Sequence, residues 1–238
     1  MEKQFGVWVG NLGKYVEGNL SETWIAFPTT EKDLESALEK IGIGGDYKET
    51  MIMDTDIPAQ ASYLRDIIGE YTSLDDLNMI ASLMETHAPD NETINLFADN
   101  YGKMDIEELG NLLLQSEEIP YYPYSILGLE NAENLSPEEK YGYTTTHQSG
   151  IYEKLEELGM EYYVDFEAIG RDARLNGAVA LGDNGYMDLA DGGNINLHRY
   201  SLEELFAEAG LKEKKEQIIQ AADSIKKTAL KPIAAPKL

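Results

Sequence analysis

The chain has 238 residues, enough for one to three small domains. Its hydrophobic share of 42%, with 15 Tyr and 2 Trp, excludes a disordered acidic segment, which would be poor in aromatics. It carries 44 Asp and Glu against 19 Lys and Arg, a formal charge of −25. Such a surface repels nucleic acid and anionic lipid, so basic clefts are the attractive partners. With no Cys, disulfides and thiol catalysis are excluded.

Residues 4–9 predict a first strand, and the Gly- and Asn-punctuated stretch from Asn11 to Asn19 a loop. Thr23 to Phe27 predicts a second strand, stopped by Pro28. Thr30 with Asp33 three residues on is a helix start; Leu34, Leu38 and Ile41 form the apolar stripe, and Gly42 and Gly44-Gly45 form the stop. Tyr47 to Asp54 predicts a third strand. Ser73 with Asp76, and Asp105 with Glu108, cap two further helices. Their apolar positions are Leu77, Ile80, Ala81 and Met84 in one and Ile106, Leu109 and Leu113 in the other. Segments 75–83 and 107–115 resemble each other at an offset of 32, which is too few copies for a repeat array. Thr93 to Tyr101 predicts a short helix between them.

Pro120 to Tyr124 breaks the pattern. Ser136-Pro137 opens a helix with Pro in its first turn, Ser149 to Leu158 is a short helix closed by Gly159, and Phe166 to Asn176 is helical. Ala178 to Leu189 predicts a hairpin with Asp183-Asn184-Gly185 supplying positive-φ turn chemistry. Ser201 and Glu204 form a capping box before Leu202, Leu205, Phe206 and Ala209. Lys212 to Lys227 reads as a charged, weakly amphipathic helix, and the last eight residues as a frayed end. The fold class is therefore α+β: an elongated chain of three small domains, 1–60 (α+β), 61–118 (helical, acidic) and 119–198 (α+β), plus a helical tail, 199–238.

Local motifs for chemistry are missing. His87, His147 and His198 are isolated, without HExxH or HxH spacing, so no metal is expected. His87 stands at a helix end as a partner of the dipole. Gly42 to Gly45 lacks the Lys-Ser/Thr of a phosphate loop and follows a helix, so it is a helix stop. Asp54/Asp56 and Asp188/Asp191 lack the twelve-residue calcium-loop spacing. No G-x-S-x-G elbow occurs. The reading is a protein that is not an enzyme, with no catalytic residues and no cofactor. The opening MEKQFGVWVGNLG has no apolar leader run and no stretch approaches 18 apolar residues, so no membrane partner is expected and the location is cytoplasmic.

The placement of charge says more than any pair of acids. Residues 201–238 hold 7 Lys and 6 acids, net +1, which leaves 12 basic and 38 acidic side chains, net −26, on residues 1–200. Duplex DNA carries about one charge per 1.7 Å, so this excess corresponds to roughly 44 Å of duplex. Solubility alone asks for a net charge of only about 2–8. The acids are dispersed over caps, helix faces and loops, and a folded scaffold fixes them in space. Asp66, Glu70, Asp75, Asp76, Glu85, Asp99, Asp105, Glu107, Glu108, Glu117 and Glu118 are the phosphate-mimicking candidates. Acids in a first turn also favour the helix dipole, so part of this placement is structural.

Two segments carry a family resemblance. Glu70-Tyr-Thr-Ser-Leu-Asp-Asp-Leu-Asn78 through Leu83-Met84-Glu85 resembles the L-E-E-L-N-x-L-A helix of ArdA-type antirestriction proteins. Tyr163-Val-Asp-Phe-Glu-Ala-Ile-Gly170-Arg171-Asp172, with Leu175-Asn-Gly177 and Gly185-Tyr186, is similar to that family's Y-D-Y-E-A-Y-G-R-D-L-x-L-x-G ending. Val9-Gly-Asn11-Leu12-Gly13-Lys14-Tyr15, Trp24 and Phe27-Pro28 fit its opening, so the resemblance spans roughly residues 5–190. Phe166 and Ile169 depart from the family's usual tyrosines, and residues 195–238 have no counterpart in it. Asn11, Leu12, Gly13, Gly170, Arg171 and Asp172 are expected to be structural.

The resemblance implies an elongated, curved homodimer that mimics bent DNA. It would occupy the DNA-binding groove of a Type I restriction–modification enzyme (methyltransferase and specificity subunits) in a bacterial host, and be encoded by a mobile element or phage. It would not itself bind nucleic acid. The other readings are an acidic protein that antagonises basic DNA-binding proteins, a phage assembly chaperone, and third an enzyme without a local motif.

Overall fold

A computed structural model describes residues 2–124, 134–189 and 195–211. The expected helix over Lys212–Lys227, and the chain end after it, lie outside the described residues. The architecture is mixed α+β with two small antiparallel sheets.

The first sheet has β1 (Phe5–Asn11) at its centre, flanked by β2 (Glu22–Phe27) and β3 (Thr50–Asp56). Phe5, Val7 and Val9 of β1 point to the same face as Ile25 and Phe27 of β2 and are buried there. The opposite face carries Trp8 and Trp24, whose rings lie 5.7 Å apart, with the Trp24 indole lying across Gly6. The register of β1 against β3 shifts between Trp8 and Val9. The third strand thus starts three residues later than predicted, because Tyr47 closes a tight turn by pairing with Gly44.

Between the first two strands the expected loop is a short helix, α1 (Leu12–Val16). Asn11 at its N-cap accepts a hydrogen bond from the Lys14 N–H at 3.0 Å. In a loop rich in Gly and Asn, a capping Asn is indistinguishable from a turn Asn by composition. Helix α2 (Glu31–Lys40) is capped by Thr30, which accepts from the Asp33 N–H, and it is closed by Gly42 at φ +81°.

The helical region contains a 3-10 turn (Ala59–Leu64), then α3 (Leu74–His87), α4 (Asn91–Tyr101) and α5 (Ile106–Leu114). Ser73, Asp90 and Asp105 cap these helices, and Asp105 forms a full capping box with Glu108. His87 stands in the last turn of α3, as the sequence predicts. Leu77, Ile80, Leu83, Leu109, Leu112 and Leu113 are fully buried. They join the apolar face of the first sheet in one connected core.

A second sheet, ordered β4 (Tyr121–Pro123), β6 (Gly185–Asp188), β5 (Val179–Leu181), is antiparallel throughout. The Pro120–Tyr124 stretch is therefore a strand, β4. Its partner lies some 65 residues on (Tyr122 opposite Tyr186), outside any local pattern. The predicted β5–β6 hairpin forms, but neither Asn184 nor Gly185 has positive φ. Gly185 is needed for a different reason: an added Cβ would lie 2.5 Å from the Tyr122 carbonyl oxygen. Helices α6 (Pro137–Gln148), α7 (Ile151–Glu157) and α8 (Phe166–Leu175) complete this region, and α6 and α8 make its largest interhelical contact.

From residue 195 the chain returns to the helical region and forms α9 (Leu202–Glu208). Leu197, Leu205 and Phe206 enter the shared core. This return is tied by reciprocal amide pairs. Asn111 Nδ2 donates to the Tyr200 carbonyl at 2.8 Å while its Oδ1 accepts from the Tyr200 N–H at 2.8 Å. Gln115 Nε2 donates to the Asn196 carbonyl at 2.9 Å and Gln115 Oε1 accepts from the Asn196 N–H at 3.3 Å. Asn111 and Gln115 are one helical turn apart and almost wholly buried, so each satisfies the backbone that buries it.

Candidate functional site

Seven of the eleven candidate carboxylates are exposed: Asp66, Glu70, Asp75, Asp99, Asp105, Glu117 and Glu118. Asp76, Glu85, Glu107 and Glu108 are partly buried. Their local roles divide them further. Asp105 accepts from the Glu108 N–H at 2.9 Å, and Glu108 accepts from the Asp105 N–H at 3.0 Å and from the Tyr101 hydroxyl at 3.2 Å. Glu107 accepts from the Leu202 N–H at 3.2 Å, and Glu85 accepts from the Glu2 N–H at 2.7 Å. Glu118 takes both terminal nitrogens of Arg199, at 2.6 and 3.3 Å, and His198 Nε2 lies 3.6 Å from Glu108. Glu70 accepts from the Tyr71 hydroxyl, which is the main reason that the Tyr71 phenol is harder to ionise than usual. Among the described residues, Asp66, Asp75, Asp99 and Glu117 carry no hydrogen bond or ion pair of this kind and present their charge to solvent.

Several residues of the family-type motifs make capping or packing contacts. Asn11 Nδ2, Lys14 Nζ and Ser21 Oγ all donate to the Ile41 carbonyl, at 3.2, 2.8 and 3.0 Å. That carbonyl is at the C-terminal end of α2, where unpaired C=O groups and the negative dipole end call for donors and a cation. Leu12 opens α1, and Gly13 lets the Tyr47 ring approach, since a Cβ there would lie 2.4 Å from it. Asn78 of α3, nearly buried, accepts from the Thr29 N–H at 2.7 Å and so ties the second helical motif to the end of the first sheet.

Gly170 sits where α8 crosses α6. A Cβ there would lie 2.2 Å from the Glu138 carbonyl oxygen, and one at Gly142 on α6 would lie 2.1 Å from that of Phe166. Arg171 is exposed and pairs loosely with Glu167 at 3.5 Å, while Arg174 bridges the two helices to Glu138 at 3.1 Å. Asp172 is exposed on α8.

Nothing described here assembles a reaction centre. His147 contacts Glu153 at 3.2 Å and stacks on Tyr152, and the Glu153 carboxyl is held below its usual range by its own backbone N–H and by His147. His87 and His198 lie on other elements. Among the described residues no three His, Asp or Glu converge as metal ligands, and no helix is long and apolar enough to cross a membrane. A cleft of about 570 Å³ between the 3-10 turn and α4 is lined by Tyr63, Arg65, Asp66, Asp99 and Lys103. Burial raises the Tyr63 phenol far above its usual value, so it is no ready acid or base.

Several residues that hold the acidic elements together escape sequence reasoning. Asn78, Glu92, Asn111 and Gln115 are polar tethers whose partners lie 49 to 92 residues away. A polar residue inside an otherwise apolar helix face, as at Asn111 between Leu109 and Leu112, is the one local signal.

No curated protein matches the chain. A family model described as Antirestriction protein (ArdA) matches residues 7–188, which takes in both sheets and every helix through α8. With more than half its length matched, and with the motif residues carrying the packing described above, the chain belongs to the ArdA family of antirestriction proteins.

Proposed function

We propose that the protein is a non-catalytic DNA mimic that competes with DNA for the binding cleft of Type I restriction–modification enzymes, through their methyltransferase and specificity subunits. One observation carries the reading: residues 1–200 carry a net charge of −26, and their described acids stand on caps, helix faces and loops of folded elements and not in one block. Carboxylates fixed in this way can stand in for phosphates against Lys and Arg with little ordering cost on binding. Release of counterions adds to affinity and makes it fall with salt. We read the chain as three units, 1–60, 61–118 and 119–198, that display the array along its length. It acts in the cytoplasm of a bacterial host, needs no cofactor and does not itself bind nucleic acid.

A homodimer fits the same reading. Leu158, Met160, Tyr162 and Tyr163 are large apolar or aromatic side chains left exposed in the α7–α8 connection. They are the kind of patch that lets two acidic chains meet away from their like charges. A single sedimenting species of monomer mass at micromolar concentration would argue against it.

The deciding experiment titrates the protein against a Type I restriction enzyme bound to labelled duplex DNA. Displacement of the duplex is expected, weakening as salt rises. Asp66→Asn, Asp75→Asn, Asp99→Asn and Glu117→Gln made singly are expected to change inhibition less than about threefold, a cost within the 0–1 kcal/mol of exposed charge pairs. The quadruple variant is expected to weaken inhibition at least tenfold. A single one of these substitutions that abolishes inhibition in a folded protein, or duplex binding left untouched at saturating protein, would sink the reading.

A further inference from the structure

One acid behaves unlike the rest. Glu92, in the first turn of α4, has both carboxylate oxygens occupied by the β5–β6 turn. Its Oε1 accepts from the Asn184 N–H at 2.8 Å and its Oε2 from Asn184 Nδ2 at 2.6 Å. The Tyr121 phenol on β4 is harder to ionise than usual, first through burial and then through the charge of the Glu92 carboxylate. An added Cβ at Gly182 would lie 2.2 Å from Glu92 Oε1 and 2.9 Å from Leu96 Cδ1, so a side chain at 182 would push the ends of Glu92 and Leu96 aside.

A neighbouring face of α4 is fastened to the 3-10 turn. Asn95 Oδ1 accepts from the Ser62 hydroxyl at 2.8 Å and the Tyr63 N–H at 3.0 Å, and its Nδ2 donates to the Gln60 carbonyl at 2.8 Å. Asn91 Oδ1 accepts from the Tyr63 hydroxyl at 3.1 Å. Helix geometry explains the division of labour. Asn91 and Asn95 are one turn apart and share one face, while Glu92 and Leu96, also one turn apart, share the next. Helix α4 meets both β5 and β6.

We propose that Glu92 is a positioning residue: it locks the second sheet onto α4, and so fixes the angle at which the acidic surface of the helical region continues into the C-terminal region. This rests on the mimic reading above, because a surface that matches a duplex must hold its curvature before it meets the target. Glu92 therefore acts through Asn184, and its own charge does not face the target.

The test uses the full chain, which has no Cys of its own, with spin labels on the pair Glu35→Cys (α2) and Glu156→Cys (α7), both exposed positions. A narrow distance distribution is expected in the parent chain and a broadened one with Glu92→Ala, alongside at least a tenfold loss in competition against duplex DNA. Glu92→Gln is the discriminating variant. Its Oε1 still accepts from the Asn184 N–H, and a flip of the Asn184 amide lets the second bond form. It is expected to keep a narrow distribution and to inhibit within about twofold of the parent. Asn100→Ala, an exposed position on the same helix and outside the acidic array, is the control and should also stay within about twofold. A narrow distribution with Glu92→Ala, or full inhibition despite a broad one, overturns the proposal. So does Glu92→Gln failing as badly as Glu92→Ala, which would mark Glu92 as a charge and not a joint. A parent chain that leaves duplex binding untouched sinks the mimic reading instead, and the joint then stands or falls on the label distances.

Discussion

Residues 195–211 lie beyond the part of the chain that the ArdA family model matches, yet Leu205 is fully buried against α5. Replacing Leu205 with Ala removes three buried carbons. At about 0.8 kcal/mol each this is about 2.4 kcal/mol of transfer free energy. The space left between α9 and α5 adds a cavity cost and brings the total to about 3–4 kcal/mol. The wall opposite sharpens the test. An added Cβ at Gly110 would lie 2.6 Å from Leu205 Cδ1 and 3.3 Å from Cδ2. Gly110→Ala in the parent chain therefore sets about 1–3 kcal/mol of overpacking against about 1 kcal/mol of improved helix propensity. With Leu205→Ala in place the overpacking disappears and Gly110→Ala should stabilise by about 1 kcal/mol. Urea denaturation of the four proteins, followed by far-UV circular dichroism and tryptophan fluorescence, measures the cycle, with an expected coupling of about 1–3 kcal/mol. If Leu205→Ala costs under about 1 kcal/mol, or Gly110→Ala has the same effect in both backgrounds, α9 is not packed on α5 as described.

Two further predictions concern stability. The Tyr63 phenol is raised above its ordinary value of about 10 by burial. Its contribution is therefore fully present below pH 10 and is lost as pH climbs through the higher folded value, while the unfolded chain ionises first. Stability should fall above pH 10, and Tyr63→Phe, which loses only the bond to Asn91 Oδ1, should flatten that fall when urea midpoints are compared between pH 8.5 and 11. Gly170→Ala pushes a methyl group against the Glu138 backbone and should cost about 1–3 kcal/mol by forcing α6 and α8 apart. Near-UV circular dichroism reports it through Tyr143, Tyr152 and Phe166, which pack between these helices and α7. A neutral Gly170→Ala would mean the crossing is looser than drawn.

What was legible in the sequence was local. Thr30/Asp33, Ser73/Asp76, Asp105/Glu108 and Ser201/Glu204 all cap as their spacing predicts, and Ser136-Pro137 opens its helix, because a cap and its partner lie within one turn. Asn11 reads as a loop residue because a capping Asn looks like a turn Asn by composition, and its second bond, to the Ile41 carbonyl thirty residues away, leaves no local signal. The strand β4 hid behind its prolines because its partner is β6. The β5–β6 hairpin was legible in place but not in cause. Its glycines answer to Glu92 and Tyr121 and not to a positive φ, and no window of ten residues contains that fact.

The acids raise the harder question, since capping and phosphate mimicry call for the same residue types at the same positions. The two roles are compatible where only neutral donors are engaged. Asp105 accepts from the Glu108 N–H, and Glu108 from the Asp105 N–H and the Tyr101 hydroxyl, and a held carboxylate surrenders less side-chain entropy on binding than a free one. Glu118 differs, because Arg199 cancels its charge pairwise in a bidentate contact. On the proposed mechanism the effective array is therefore weighted toward the unpaired Asp66, Asp75, Asp99 and Glu117 and the rigid Asp105 and Glu108, and away from the edge covered by the returning chain. Removing Arg199 should return Glu118 to that array. Arg199→Gln is then expected to strengthen competition with DNA and to steepen its salt dependence, by up to about one counterion's worth of slope. Weaker competition from a folded Arg199→Gln protein would instead make the Glu118–Arg199 pair part of the scaffold that the target reads.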